Sequence, residues 1–299
     1  MSIRAELLRL ALRAAKSSGA GPDIAVIRRR MERAKRIVPR PPDTTRTTKL
    51  SAGGVPAVRV ATSQSRDDWH ILYLHGGAYV YGSSAHYRDF MWRIADATTA
   101  RVLCIDYRLA PEHPFPAAVD DAVRAYRWLL AEGADPRRVA IMGDSAGGGL
   151  TFGTLLRLRD ERVPQPAAAV GLSPWTDLTL MGESIRRNAK ADPMLNAAQA
   201  RAFAKHYLAG ADPKNPYASP LHGDARGLPP SLIQVGSDEI LRDDAERMAE
   251  KLRSAACAVE LEIWPRMPHV WHLFARIVPE GRQAIERIGD FVRRALAVG

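Results

Sequence analysis

From about residue 50 onward, short β-branched apolar runs alternate with stretches of helical periodicity, and few folds tolerate that rhythm. The runs are Val58–Val60, Ile71–Leu74, Val102–Ile105, Val139–Met142, Ala168–Leu172, Ser231–Val235 and Val259–Trp264. Helical patterns occupy about 86–98, 117–131, 146–160, 241–255 and 280–297. Several runs are apolar without alternation, as expected of strands covered on both faces. Strands and helices taken in turn argue for an α/β fold: a mostly parallel central sheet flanked by helices.

At 299 residues, 46% hydrophobic and 25% charged, the chain has material for one or two domains with a sizeable core. Two cysteines, Cys104 and Cys257, exclude a disulfide scaffold and a Cys-rich zinc module, and both read as buried thiols. No uninterrupted apolar run reaches the ~18 residues of a membrane helix, so stable membrane insertion is not expected.

Charge is distributed unevenly. Residues 1–49 hold thirteen basic and four acidic residues, and the remainder is close to neutral. The basic residues follow helical patterns, as at Arg28, Arg29, Arg30, Arg33 and Arg36, with no aromatic interleaving or zinc-finger spacing. That reads as solvated helix faces, with weak attraction to a membrane surface as the second reading and no nucleic-acid partner. Two amphipathic helices are expected at 3–16 and 23–37, with Gly19, Gly21 and Pro22 between them. Arg4, Arg9 and Arg13 break up the leucines of the first, unlike the apolar segment of a signal peptide, so a cytoplasmic location is expected. Residues 176–226 have no clear strand but contain a helical pattern at Ala197–Leu208. They are too long for an ordinary connection and read as an insertion over one end of the sheet.

The run Val139–Met142 leads into Gly143-Asp144-Ser145-Ala146-Gly147 and then a helical stretch. G-x-S-x-G between a strand and a helix is the context a nucleophilic serine requires. Small neighbours let the chain bend sharply, and the hydroxyl of Ser145 is pushed beyond the strand end. The following helix points its free N–H groups at the place where negative charge develops. A phosphate loop does not fit: Gly149 is followed by Leu150, and G-x-G-x-x-G from Gly147 ends on Phe152.

A serine hydroxyl needs a base, and the base needs a third group to fix its tautomer. In α/β-hydrolase chain order the acid and then the histidine follow the serine. Val235-Gly236-Ser237-Asp238 is a strand running into a polar turn, which makes Asp238 the natural acid. Glu239 beside it would point elsewhere if Asp238 faces the base. Of eight histidines only His269 and His272 come later. His269, in the loop after Val259–Trp264, is the preferred base, and His272 lies a helical turn onward. The pair lacks the H-E-x-x-H zinc signature, so neither metal nor cofactor is expected. The run Ile71–Leu74 leads into His75-Gly76-Gly77-Ala78. The amides of Gly76 and Gly77, with that of Ala146, are candidates to hold an oxyanion, while His75 braces the loop.

These residues resemble the hormone-sensitive-lipase-like (bacterial family IV) carboxylesterases of the α/β-hydrolase superfamily. His75-Gly76-Gly77-Ala78 is similar to the family's HGGG/HGGA loop and Gly143–Gly147 to its GDSAG elbow. Asp106–Glu112 is similar to its DYRLAPE segment, and Ser173-Pro174-Trp175 to the strand end after the elbow. Two places depart: Glu239 stands where the family has Pro after the acid, and His269-Val270-Trp271 stands where it has HGF. The resemblance implies N-terminal cap helices at 1–50, a core at 51–175 and 227–299, and a cap insertion at 176–226. It implies a structural role for Arg108 and Glu112, and a homodimer that could pair through Val259–Trp264.

The expected function is that of a serine carboxylesterase acting on short- to medium-chain esters. It would use a Ser145–His269–Asp238 triad and the Gly76, Gly77 and Ala146 amides. Other acyl-transfer chemistry on the same triad, such as amide or lactone hydrolysis or transfer to alcohols, is the alternative. A ligand-binding receptor on this scaffold would have lost the base, and His269 is present.

Overall fold

The computed structural model describes residues 1–16 and 23–298. Gly19, Gly21 and Pro22, read above as the break between the first two helices, lie outside the described residues. The strands are β1 (Arg46–Ala52), β2 (Val55–Ala61), β3 (His70–Leu74), β4 (Arg101–Ile105), β5 (Val139–Asp144), β6 (Ala168–Leu172), β7 (Ser231–Gly236) and β8 (Val259–Trp264). They form one sheet in the order β1-β2-β4-β3-β5-β6-β7-β8. From β4 to β8 all pairings are parallel, and β2 is antiparallel to both β1 and β4.

Each apolar run lies within a strand. β1 was not anticipated. It is an edge strand of sequence RTTKLSA in which only Ala52 is buried, so it carries neither an apolar run nor a clean alternation. It begins at Arg46, inside the segment assigned to the N-terminal helices.

The helices are α1 (Ile3–Ala15), α2 (Ile24–Ala34), α3 (Arg88–Thr98), α4 (Ala117–Ala131), α5 (Ala146–Asp160), the short α6 (Ser184–Arg187), α7 (Ala197–Leu208), α8 (Arg242–Ser254) and α9 (Pro279–Ala297). Period-two alternation splits the strands between two cores. On β3, Leu72 and Leu74 join α4, α5 and α8 on one face, while Ile71 and Tyr73 join α3 and α9 on the other. Both faces are therefore sealed, and each fully buried Leu, Ile or Phe contributes about 1.5–3 kcal/mol. Cys104 is buried, Cys257 is half-buried, and both are free. No helix among the described residues is long and apolar enough to cross a membrane.

Three attachments hold the added helices. Ala5 and Leu8 of α1 pack with Met267, Trp271 and Val278. Arg28 of α2 donates to the carbonyls of Val80 and Ala110 and pairs with Glu112 at 2.7 Å. Tyr207 of α7 stacks on Tyr79, ring centroids 3.7 Å apart. Arg108 pairs with buried Asp121, so Arg108 and Glu112 both make ion pairs, though not with each other.

Candidate active site

Strands β3 and β5 are neighbours, so the loop after β3 and the turn after β5 emerge side by side at the C-terminal edge of the sheet. The turn places Ser145 at φ 54°, ψ −122°, a conformation costing about 1–3 kcal/mol that the surroundings must impose. Its amide donates to Leu172 O at 2.8 Å, and its carbonyl accepts from the amides of Gly149 and Trp175. The bend brings helix α5 against β3 so closely that a Cβ on Gly147 would sit 2.0 Å from Leu74 O. Ser145 is left half-exposed at the first turn of α5, facing a cavity.

The acid expected at position 238 is corrected by the geometry. Asp238 turns outward and pairs with Arg9 of α1 at 2.8 Å. Glu239 is the residue that meets His269, with Oε2 2.6 Å from Nδ1. Its other oxygen accepts from Ser173 Oγ at 2.7 Å and from the Gly236 amide at 2.6 Å. The cause is a tight turn closed by the Glu239 amide donating to Gly236 O. The two central residues, Ser237 and Asp238, project outward, and residue 239 swings back over the strand end. Ser173 was not anticipated as part of the site. It also accepts from the Val270 amide at 3.2 Å and so ties the loop carrying His269 to Glu239.

Burial disfavours a charged His269, but the Glu239 charge and hydrogen bond, with smaller help from Asp192 and Asp144, outweigh it. The imidazole holds its proton above the ordinary 6.5. His272 is different. It is buried without a carboxylate, its Nε2 lies 2.8 Å from Gln234 Oε1, and burial and the nearby His269 push it down to about 3.

The second correction concerns Gly76. Its amide is already spent on Asp144 Oδ1 and the Tyr87 hydroxyl, each at 2.9 Å, and so cannot serve an oxyanion. Asp144 also accepts from the hydroxyls of Tyr73 at 2.6 Å and Tyr87 at 2.8 Å. This buried cluster fixes the loop at its base. The next residues turn over: Gly77 has φ 122° and Ala78 φ 52°. A Cβ on Gly77 would lie 1.9 Å from Tyr81 O. The amides of Gly77, Ala78 and Ala146 have no acceptor among the described residues. His75 is buried, with Nδ1 2.7 Å from Gly76 O and its ring stacked on Tyr107, as befits a brace.

A family model described as the alpha/beta hydrolase fold matches residues 71–273. An acetyl-hydrolase of Streptomyces hygroscopicus is 50% identical over 234 residues, covering 78% of each chain. An esterase of Acinetobacter venetianus is 40% identical, covering 74% of this chain and 73% of its own. Among solved structures, an esterase of the bacterial hormone-sensitive lipase family superposes with a TM-score of 0.94 at 46% identity, covering 99% of both chains. This chain belongs to the hormone-sensitive-lipase-like α/β hydrolases. The esterase EstE5, in a crystal soaked with p-nitrophenyl butyrate, is similar to it at 42% identity with a TM-score of 0.95, covering 99% of this chain and 100% of EstE5.

In this α/β hydrolase the cavity over Ser145 measures about 280 Å³. Its floor is Ser145, His269, Gly77 and Ala78, and its walls are largely apolar: Trp175, Phe203, Leu241 and Leu273, with Met31 of α2 and Met194 and Leu195 from the long insertion. Asp238 and Gly76 do not line it.

Proposed function

We propose that this hydrolase cleaves short- to medium-chain carboxylic esters through an acyl-enzyme on Ser145. The reading rests above all on the Glu239–His269 pair of 2.6 Å, which faces the cavity holding Ser145. With Nδ1 engaged by Glu239, Nε2 of His269 is the nitrogen left to take the serine proton. Ser145 Oγ attacks the ester carbonyl carbon. The oxyanion is held by the amides of Gly77, Ala78 and Ala146, each worth about 3 kcal/mol to the transition state. Collapse expels the alcohol, which takes its proton from His269. Water then attacks the acyl-serine with His269 again as base, and the carboxylic acid departs. Glu239 fixes the tautomer and stabilises the imidazolium, and Ser173 and the Gly236 amide hold Glu239 in place.

The apolar walls and modest volume favour acyl groups of a few carbons. Helix α2 and residues 176–226 act as the cap, since Met31, Met194, Leu195 and Phe203 close the cavity from that side, while α1 is fastened behind that wall through Lys16 and the Asp192 carbonyl. Ser145→Ala should abolish turnover of p-nitrophenyl butyrate, and a serine-directed phosphonate should label the native protein at Ser145 alone. Full activity in the variant, or a label elsewhere, would overturn the proposal.

A further inference from the structure

Helix α1 has two apolar faces and only one is used. Ala5 and Leu8 pack inward. On the opposite side stand Ile3, Leu7 and Leu10, exposed at 81%, 61% and 55%. At 3.6 residues per turn these three fall within roughly 60° of arc, and exposed Ala14 continues the line. Isolated apolar residues on a surface need no explanation, but an aligned strip does.

Charge argues what covers it. Arg4 and Arg13 flank the strip on either side, and both are exposed. Arg4 has no ion pair among the described residues, and Arg13 donates only to the carbonyls of Lys190 and Ala191. Arg29, Arg30 and Arg33 of α2 are likewise exposed and outside any ion pair among the described residues. A leucine-rich strip edged by arginines, on the most basic part of the chain, is complementary to an anionic lipid surface. The apolar side chains enter the headgroup boundary, and the guanidinium groups reach the phosphates.

The C-terminal end of α1 is tied to the cavity wall. Lys16, just after α1, donates to Asp192 O at 2.8 Å, and the Asp192 carboxylate accepts from the amides of Met194 and Leu195 in the cavity wall.

We propose that α1 docks this protein on anionic bilayers through Ile3, Leu7 and Leu10, with Arg4 and Arg13 at the headgroups, setting the cavity beside the phase where apolar esters collect. The adsorption itself does not rest on the esterase reading.

Co-sedimentation tests it with the full chain and two vesicle types, phosphatidylcholine alone and phosphatidylcholine with about a third phosphatidylglycerol. The native protein should pellet with the anionic vesicles and be released as salt rises. The combined Ile3→Ser, Leu7→Ser, Leu10→Ser variant should bind about tenfold less or weaker still, with its melting temperature and p-nitrophenyl butyrate turnover unchanged. Arg4→Glu, which leaves the apolar strip intact, should weaken binding to the anionic vesicles alone. Native protein that stays in the supernatant would overturn the proposal. So would equal binding by the triple variant, or a triple variant that dissociates a dimer while its vesicle binding is unaltered.

Discussion

Two buried imidazoles three residues apart titrate in opposite directions because only one has a carboxylate. His269 is held above 6.5 by Glu239 despite its burial, and His272, facing the neutral Gln234 amide, is pushed to about 3. A general base must be neutral to accept a proton, so kcat/KM should rise with pH through a pKa above 6.5. Glu239→Gln removes the largest raising charge and leaves burial, so the acid limb that remains should move to lower pH. A pH–rate profile with p-nitrophenyl butyrate checks both, and a native limb at or below 6.5 would contradict the assignment. At this scale the sequence carried the serine and the histidine, through a motif in its context and through chain order. It favoured Asp238 over Glu239, the reverse of what the turn presents to His269. That choice is made by which residue of a tight turn faces inward, and by Arg9, a distant residue that draws Asp238 outward.

Among the elements, the loop after β3 is set by contacts a motif does not reveal. H-G-G-A reads as two consecutive glycine donors, yet the Tyr87 hydroxyl and Asp144 use up the first. Tyr87→Phe deletes a group that accepts from Gly76 and donates to Asp144. It should cost about 1–3 kcal/mol in urea unfolding and lower kcat several-fold while KM changes little, since the loop would hold its amides less firmly. A variant with native stability and native kcat would mean the loop needs no such anchor. Apolar runs were sufficient to find β3 through β7, because both faces of the inner sheet are covered, and the partly covered β2 and edge strand β8 still carried enough apolar residues to be found. β1 escaped because an edge strand of Arg, Thr and Lys needs only its partner's hydrogen bonds and one buried alanine. The helix at 197–208 was legible from its period, whereas its seat on Tyr79 is a long-range ring contact that no local pattern encodes.

Across the whole molecule, α8 joins the long insertion through a buried carboxyl. Asp244 accepts from the amides of Thr176 and Asp177, and burial together with the Asp177 charge pushes it up to about 8. The folded state therefore holds a proton that the unfolded chain, at an ordinary 3.8, releases. The stability from this group is complete below the unfolded value and is lost as pH rises toward about 8. Asp244→Asn keeps the acceptor and cannot ionise. From about pH 5 to about pH 9 its melting temperature should fall less steeply than that of the native protein, and parallel curves would show that Asp244 does not couple to folding.

The relay Ser145–His269–Glu239 is the claim on which the functional reading stands, and swapping the two adjacent carboxylates tests it most directly. Steady-state kinetics on p-nitrophenyl butyrate should show Glu239→Gln losing roughly 10³–10⁴-fold in kcat. Asp238→Asn, whose partner is Arg9 on the outer side of the turn, should stay within a few-fold of native. The reverse ranking, with Asp238→Asn crippled and Glu239→Gln active, would contradict the account.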